Sequence, residues 1–409
     1  MKVLRRSRRL ARLAGCTALT LGLAGTAAAA AAPAQARVTG ILIQSHVVAS
    51  WGRGPLGDGT TTERSLYGDI RVGNDVVQVE AKYSHGLAVR SDGTVWAWGD
   101  NRWGQLGDGS TTTRLTPVQV TGLTGATQVA AGRAISLALR SDGTVWAWGN
   151  NQAGQLGRGT ITDHEVTPAR VTGLAGVTKI SAGGAFALAL RSDGTVWAWG
   201  NNQLGSLGNG TTSQSPVPVP VKVAGLSQVT GISAGFDSSV ATRTNGISVV
   251  ASVWTWGGNE SGQLGDGTLT DHSTPERVTG LPVYIAGISA GDGFTAVLGT
   301  DGTVWDWGDD GFGQLGIAHA DSPVTRPVNA IGLGSGITQI SAGSDHMLAL
   351  KSNGTVLAWG SNVEGQLGNG TTASVTGPVQ VTGLTSATQV SAGLGSSFAV
   401  HTVPYLLGS

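Results

Sequence analysis

Cysteine occurs once in this 409-residue chain, at Cys16. That scarcity excludes a disulfide framework and a thiolate metal site, and removal of the first residues would also exclude a cysteine nucleophile. Charge is sparse as well, at 12% of residues and balanced at 25 acidic against 25 basic. Lys2, Arg5, Arg6, Arg8, Arg9 and Arg12 sit in a segment expected to be cleaved. The mature protein is then mildly acidic, which argues against a nucleic-acid partner held through its phosphates. The seven histidines have no paired metal-ligand spacing, and there is no Gly-x-Ser-x-Gly elbow. What is abundant is glycine, 66 residues of it, a composition that suits many short strands joined by tight turns.

The N-terminal charges lead into an apolar, alanine-rich stretch from about Ala14 to Ala32 and then into Ala34-Gln35-Ala36. This is the pattern of a secretory signal peptide, expected over residues 1–36 with cleavage after Ala36. The stretch is short for a transmembrane anchor. Cys16 precedes the apolar segment, the wrong order for a lipoprotein, and the residues after Arg8-Arg9 fit twin-arginine export poorly. The expectation is a secreted, extracellular protein with no stable membrane anchor after cleavage and no cysteine.

Self-alignment exposes a repeat of about 50 residues: Val95-Trp-Ala-Trp-Gly99, Val145-Trp-Ala-Trp-Gly149, Val196-Trp-Ala-Trp-Gly200, Val253-Trp-Thr-Trp-Gly257, Val304-Trp-Asp-Trp-Gly308 and Val356-Leu-Ala-Trp-Gly360. Val48-Ala-Ser-Trp-Gly52 is a degenerate seventh copy. Each is followed by a glycine-rich element such as Gly104-Gln-Leu-Gly107. A second element, an Ala-Gly bend before an alternating strand, recurs seven times, as in Ser181-Ala-Gly183 before Leu188-Ala-Leu190. Four strands are expected per period, near Val95 to Trp98, Val118 to Val120, Thr127 to Ala131 and Ser136 to Arg140. Four strands per unit predict an all-β, seven-bladed propeller. The chain starts on a front half at Val47 to Gly52 and stops after a back half at Gln389 to Val403. Pairing those leftovers closes the ring and leaves no open edge. The expected division is signal peptide 1–36, lead-in 37–46, propeller 47–403 and tail 404–409.

Twelve of the 13 tryptophans lie in these copies, ten of them in pairs two residues apart on one strand face, and are expected to pack between blades. Trp103 alone falls outside the pattern. Asp92-Gly, Asp142-Gly, Asp193-Gly, Asn245-Gly, Asp301-Gly and Asn353-Gly read as hairpin turns and not calcium ligands. Gly107-Asp-Gly109 and Gly265-Asp-Gly267 read as loop turns, without the context of a phosphate site.

The recurring Trp-Gly-x-Asn, Gly-Gln-Leu-Gly, Ser-Ala-Gly and Asp-Gly-Thr-Val elements resemble the regulator of chromosome condensation repeat from about Val47 to Val403. The resemblance implies a propeller; for function it implies either nucleotide exchange on a small GTPase with chromatin binding, or, as in secreted bacterial relatives, inhibition and binding. The family often has His three residues after the bend, and here His85 and His346 keep it while Ile135, Phe186, Ser238, Phe294 and Ser396 do not. The reading adopted is a secreted, non-enzymatic, monomeric binding scaffold with no catalytic residue, metal or cofactor, and with an extracellular or cell-envelope protein as partner. Alternatives are a guanine-nucleotide exchange factor-like regulator and a carbohydrate-binding or carbohydrate-processing propeller. Partner contacts are expected where the bend loops diverge, at Tyr83, His85, Arg133, Phe236, Asp237, Asp292, Asp345 and His346. The stretched hairpin at 244–252 is a further candidate contact or a tolerated insertion.

Overall fold

The computed structural model describes residues 42–244, 251–282, 284–317 and 322–406. The expected signal peptide and residues 245–250 of the stretched hairpin, with its Asn245-Gly turn, lie outside them. Among the described residues no helix is long and apolar enough to cross a membrane. The described residues form 28 strands in seven four-stranded antiparallel sheets. The first strands are β1 (Leu42–Gly52), β2 (Arg64–Ile70), β3 (Val76–Ala81), β4 (His85–Arg90), β5 (Val95–Gly99) and β6 (Arg114–Gln119).

Sequence period and blade are out of phase by half a unit. The first blade is β3 to β6, spanning 76–119, and the second to sixth span 126–170, 177–222, 229–277, 285–329 and 337–380. A repeat counted from its Trp-x-Trp-Gly element therefore gives two outer strands to one blade and two inner strands to the next. The seventh blade joins Ala387–Ala392 and Ser396–Leu406 to β1 and β2. β1 pairs with the last strand without interruption from Leu42↔Leu406 to Gly52↔Ser396. Parts of the expected lead-in and tail are thus strand, because each supplies the other's hydrogen-bond partner.

Inner strands of neighbouring blades touch around the axis, the seventh reaching the first. Side-chain amides join them. Gln78 donates to Val129 O (3.0 Å) and accepts from Val129 N (2.8 Å), and Gln389 makes the same pair with Val79 across the closing seam.

The second tryptophan of each pair, with Trp51 and Trp359, has 0% exposure. Trp199 illustrates the packing, wedged among Ile135, Leu137, Val145 and Leu156 of the preceding blade. Burial of an aromatic side chain removes 150–250 Å² from water, a gain of about 4–6 kcal/mol at most. The indole nitrogens of Trp148, Trp199 and Trp307 donate to the carbonyls of Gln105, Gln155 and Gln263, each at 2.8 Å. That contact explains the glycine closing the Gly-Gln-Leu-Gly element: Gly107 has φ +68°, and a Cβ there would stand 2.7 Å from Trp148 Nε1. Only Trp98 Nε1 is left without an acceptor among these buried indoles; its preceding loop has Pro55 in the place of the glutamine.

The Asp-Gly pairs are turns. Asp92 Oδ1 accepts from Thr94 N (2.9 Å) and Oγ1 (2.6 Å), and Asp142, Asp193 and Asp301 repeat the arrangement. The threonine hydroxyl, then the threonine amide, hold the Asp92 carboxyl below its ordinary range. Asp108 likewise accepts from Ser110 and Arg114 inside its own loop.

Candidate mouth of the propeller

In each blade β3 or its equivalent rises to the bend and the next strand descends, so all seven bends crown one face. The loops that follow the Trp-x-Trp-Gly strands emerge there too. Residues three past the bend begin the descending strand and point into the wall. His85 and His346, expected as partner contacts, are accordingly buried at 3% and 0% exposure. Their Nε2 atoms lie 2.8 Å from Ser136 and Ser397 Oγ in the adjoining blade. Ser136 donates to Gln105 O (2.7 Å) and Ser397 to Gln366 O (2.8 Å), so each imidazole donates through Nε2. Burial lowers both histidines to about 4, which keeps them neutral at pH 7. They are links between blades, and Ile135, Phe186, Ser238, Phe294 and Ser396 occupy the same buried slot in the other blades. The two-of-seven retention of His therefore reports wall packing and says nothing about exchange activity.

The other six residues do gather at the mouth. Tyr83, only 6% exposed, reaches across the ring, and its hydroxyl donates to Asp292 Oδ1 at 2.8 Å. Ser344 Oγ donates to the second oxygen of Asp292 at 2.7 Å. Burial, then the Asp292 charge, pushes the Tyr83 phenol well up. Phe236 meets Tyr83 edge-on at 6.2 Å, and the Arg133 guanidinium lies 5.6 Å over the Phe236 ring. Asp237 is pushed up to about 6 by burial and by Glu260 and Asp271. Asp345 is pushed up to about 6 by burial and by Asp292, Asp309 and Glu364, but it stands outside the main cavity.

That cavity measures about 840 Å³ and is walled by Tyr83, Trp103, Arg133, Phe236, Asp237 and the amides of Asn150, Gln152, Asn201 and Gln203. Trp103, the tryptophan outside the repeat pattern, is one of its half-buried walls. Two residues beneath the mouth escaped the sequence reading. Lys82 stands where the other six bends have glycine, and its ammonium donates across the channel to Ala234 O and to Ala290 O, the latter at 3.1 Å. Burial lowers the lysine, opposed by Asp292 and Glu80. Glu80, in the place of the usual serine, is pushed up to about 7 by burial against the counter-pull of Lys82. The signal is Glu80-Ala-Lys82 where the other bends read close to Ser-Ala-Gly. Among the described residues, no three His, Cys, Asp or Glu gather as a metal site.

A closed ring of seven four-stranded blades with a loop-built cavity at one mouth defines a seven-bladed β-propeller. Residues 31–241 match the RCC1-like domain, and residues 251–298, 301–350 and 353–400 match the Regulator of chromosome condensation (RCC1) repeat. The chain belongs to the RCC1-like family. It is similar to the human E3 ubiquitin-protein ligase HERC2, 31% identical over 221 residues that cover 53% of this chain and 4% of that protein. The Ultraviolet-B receptor UVR8 of Arabidopsis thaliana is 30% identical over 212 residues, 51% of this chain and 47% of the receptor. The matched stretches thus span less than half of these curated relatives. Yeast RCC1 (Prp20), in its structure bound to Kap60, superposes with a TM-score of 0.77 over 88% of this chain and 89% of that one at 24% identity, a likeness of fold.

Proposed function

We propose that the chain is a secreted, non-enzymatic scaffold that binds a protein partner through the bend-loop mouth. The observation that carries this reading is the contrast between wall and mouth. The tryptophans buried between blades recur from copy to copy, whereas Tyr83, Arg133, Phe236 and Asp292, at one equivalent position of four bends, differ in every blade and meet around one cavity. Residues the fold does not require are free to serve a partner, and aromatic and arginine side chains are the usual anchors of protein interfaces. Family membership supports binding or exchange-factor activity in general terms, and secretion rests on the expected signal peptide.

The test places a benzoylphenylalanine photo-cross-linker at Phe236 or Phe312, both exposed on this face, and at Leu66 or Ile331 as exposed controls elsewhere. Irradiation of producing cultures is expected to yield a discrete polypeptide adduct at the mouth and none at the controls. Adducts at Leu66 or Ile331 alone would move the interface off this face. Mass spectrometry of the same material is expected to find a mature N-terminus at Arg37 in the medium; an uncleaved intracellular chain would end the secreted reading and favour exchange-factor activity.

A further inference from the structure

The main cavity does not end at the ring's inner mouth. A second cavity of about 250 Å³ adjoins it, and Tyr83, Ser84, Asp100, Arg102 and Leu394 belong to both walls. Arg53, Gly54 and Pro55, at the seam where the ring closes, line the second cavity. Its origin is legible in the sequence. Between Gly99 and Leu106 the first blade's loop runs Asp100 to Gln105, whereas between Gly52 and Leu56 the seventh blade has only Arg53-Gly54-Pro55. The seventh loop is thus shorter by three residues, and the space it leaves is a notch from the rim to the centre. Pockets for compact ligands hold about 300–1,000 Å³. The main cavity is already near the top of that range, and the notch makes it a groove entered from the side, which suits an extended chain.

The groove's charge is graded along its length. At the notch the cations are already paired, Arg53 with Glu364 at 3.2 Å and Arg102 with Asp100 at 3.0 Å. At the inner end Asp237 and Asp292 face Arg133 and, from beneath, the buried Lys82, with Glu260 and Asp271 behind Asp237. There the ring of Phe236 already carries one guanidinium, that of Arg133, at 5.6 Å. The inner end therefore combines an aromatic face that accepts cations with carboxylates in excess.

Resting on the protein-binding reading above, we infer that the groove takes an extended segment of the partner, entering through the notch at residues 53–55 and seating an arginine or lysine side chain between Asp237 and Phe236. The probe is a capped, fluorescein-labelled nonapeptide of alternating glycine and arginine, with a glycine–glutamate peptide as its counterpart, read by fluorescence anisotropy in moderate salt. The arginine peptide is expected to bind at least tenfold more tightly than the glutamate peptide. Asp237→Asn should weaken it at least fivefold. Glu276→Gln, the same charge change at an exposed outer-strand position, should leave it within twofold. Adding three residues after Gly52 to restore the loop length should weaken it comparably while leaving the melting temperature unchanged. Equal losses in Asp237→Asn and Glu276→Gln would reduce the effect to general electrostatics and overturn the inference, as would tight binding of the glutamate peptide, no binding of either, or indifference to the filled notch. Should the peptides fail while a cross-linker at Phe236 still captures a polypeptide, the basic-segment inference falls and the protein-binding reading stands.

Discussion

Asp306 should weaken the fold it belongs to, and replacing it with alanine should stabilise the protein. In the Trp-x-Trp strands and their two degenerate copies the middle residue is Ala97, Ala147, Ala198 and Ala358, with Ser50, Thr255 and Asp306 as polar exceptions, and Ser50 Oγ accepts from Arg64 at 2.9 Å. Thr255 satisfies itself by donating to Leu264 O at 2.7 Å. Asp306 has 0% exposure, and neither of its carboxyl oxygens has a partner. Burial, aided by the charge of Asp310, holds its carboxyl well above the ordinary 3.8. An unpartnered buried polar group costs about 1–3 kcal/mol, and the void left by alanine returns part of that. A net gain of about 1–2 kcal/mol for Asp306→Ala corresponds to a rise of about 1–3 °C in Tm for a domain of this size. Since the folded carboxyl titrates higher than the unfolded one, the native state keeps a proton that the unfolded state releases. The aspartate's stability is therefore intact below about 3.8 and lost as pH rises through its folded value. Thermal unfolding followed by tryptophan fluorescence from pH 4 to pH 9 should show the Asp306→Ala advantage widening with pH, and Asp306→Asn should remove the pH dependence with a smaller gain. An alanine variant less stable than the parent at pH 7, or a gap that ignores pH, would refute the reasoning.

The buried histidines make the opposite prediction for acid. With folded values near 4 against an ordinary 6.5, the stability each contributes is full above 6.5 and lost as pH falls toward 4, about 3 kcal/mol each at the extreme. His346→Phe, which places in the sixth blade the residue that fills this slot as Phe186 and Phe294, should remove about half of that acid loss in denaturant titrations at pH 4.5 and 7; an unchanged pH slope would count against the neutral-imidazole assignment. For Glu80, held at about 7 against an ordinary 4.5, stability is full below 4.5 and lost as pH rises through 7. Glu80→Gln should flatten the stability profile across that window, and a profile identical to the parent's would show that Lys82 neutralises the carboxylate fully.

The propeller was legible because its determinants are local and repeated. A Trp-x-Trp pair on one strand face, an Asp-Gly turn and a Gly-Gln-Leu-Gly loop each act within a few residues, and their recurrence at a fixed period of about 50 residues leaves little choice of architecture. Periodicity gives spacing without phase, which is why the first blade begins at Val76 and not at the Trp-x-Trp-Gly of the repeat. The site was only half legible for a related reason. Divergence among bends marks what the wall does not need, yet it cannot tell which way a side chain points. His85 lies two residues from Tyr83 and His346 directly follows Asp345, yet both face the wall, since they begin the descending strand. The Tyr83 to Asp292 bond joins positions 209 residues apart, and no local pattern announces such a contact.

Departures from the consensus fall into two physical kinds. Asp306 leaves its own buried carboxyl unpartnered, and Pro55 stands in the loop where the buried Trp98 indole finds no acceptor, so neither departure adds a contact. Lys82 replaces the consensus glycine and Tyr83 fills the variable position beside it at more conspicuous cost, a buried cation and a buried phenol. Yet the ammonium is met by the carbonyls of Ala234 and Ala290, and the phenol by Asp292, which Ser344 also holds. A substitution that drifts into a repeat has no reason to find partners three and four blades away. The cross-ring bonds of Lys82 and Tyr83 instead give the cavity a fixed floor, so that Phe236, Arg133 and Asp237 are held in place before a partner arrives, and less binding energy is spent on ordering them. The first blade's degenerate bend is on this argument the most specialised part of the ring, and the aspartate of the fifth blade's third strand the least.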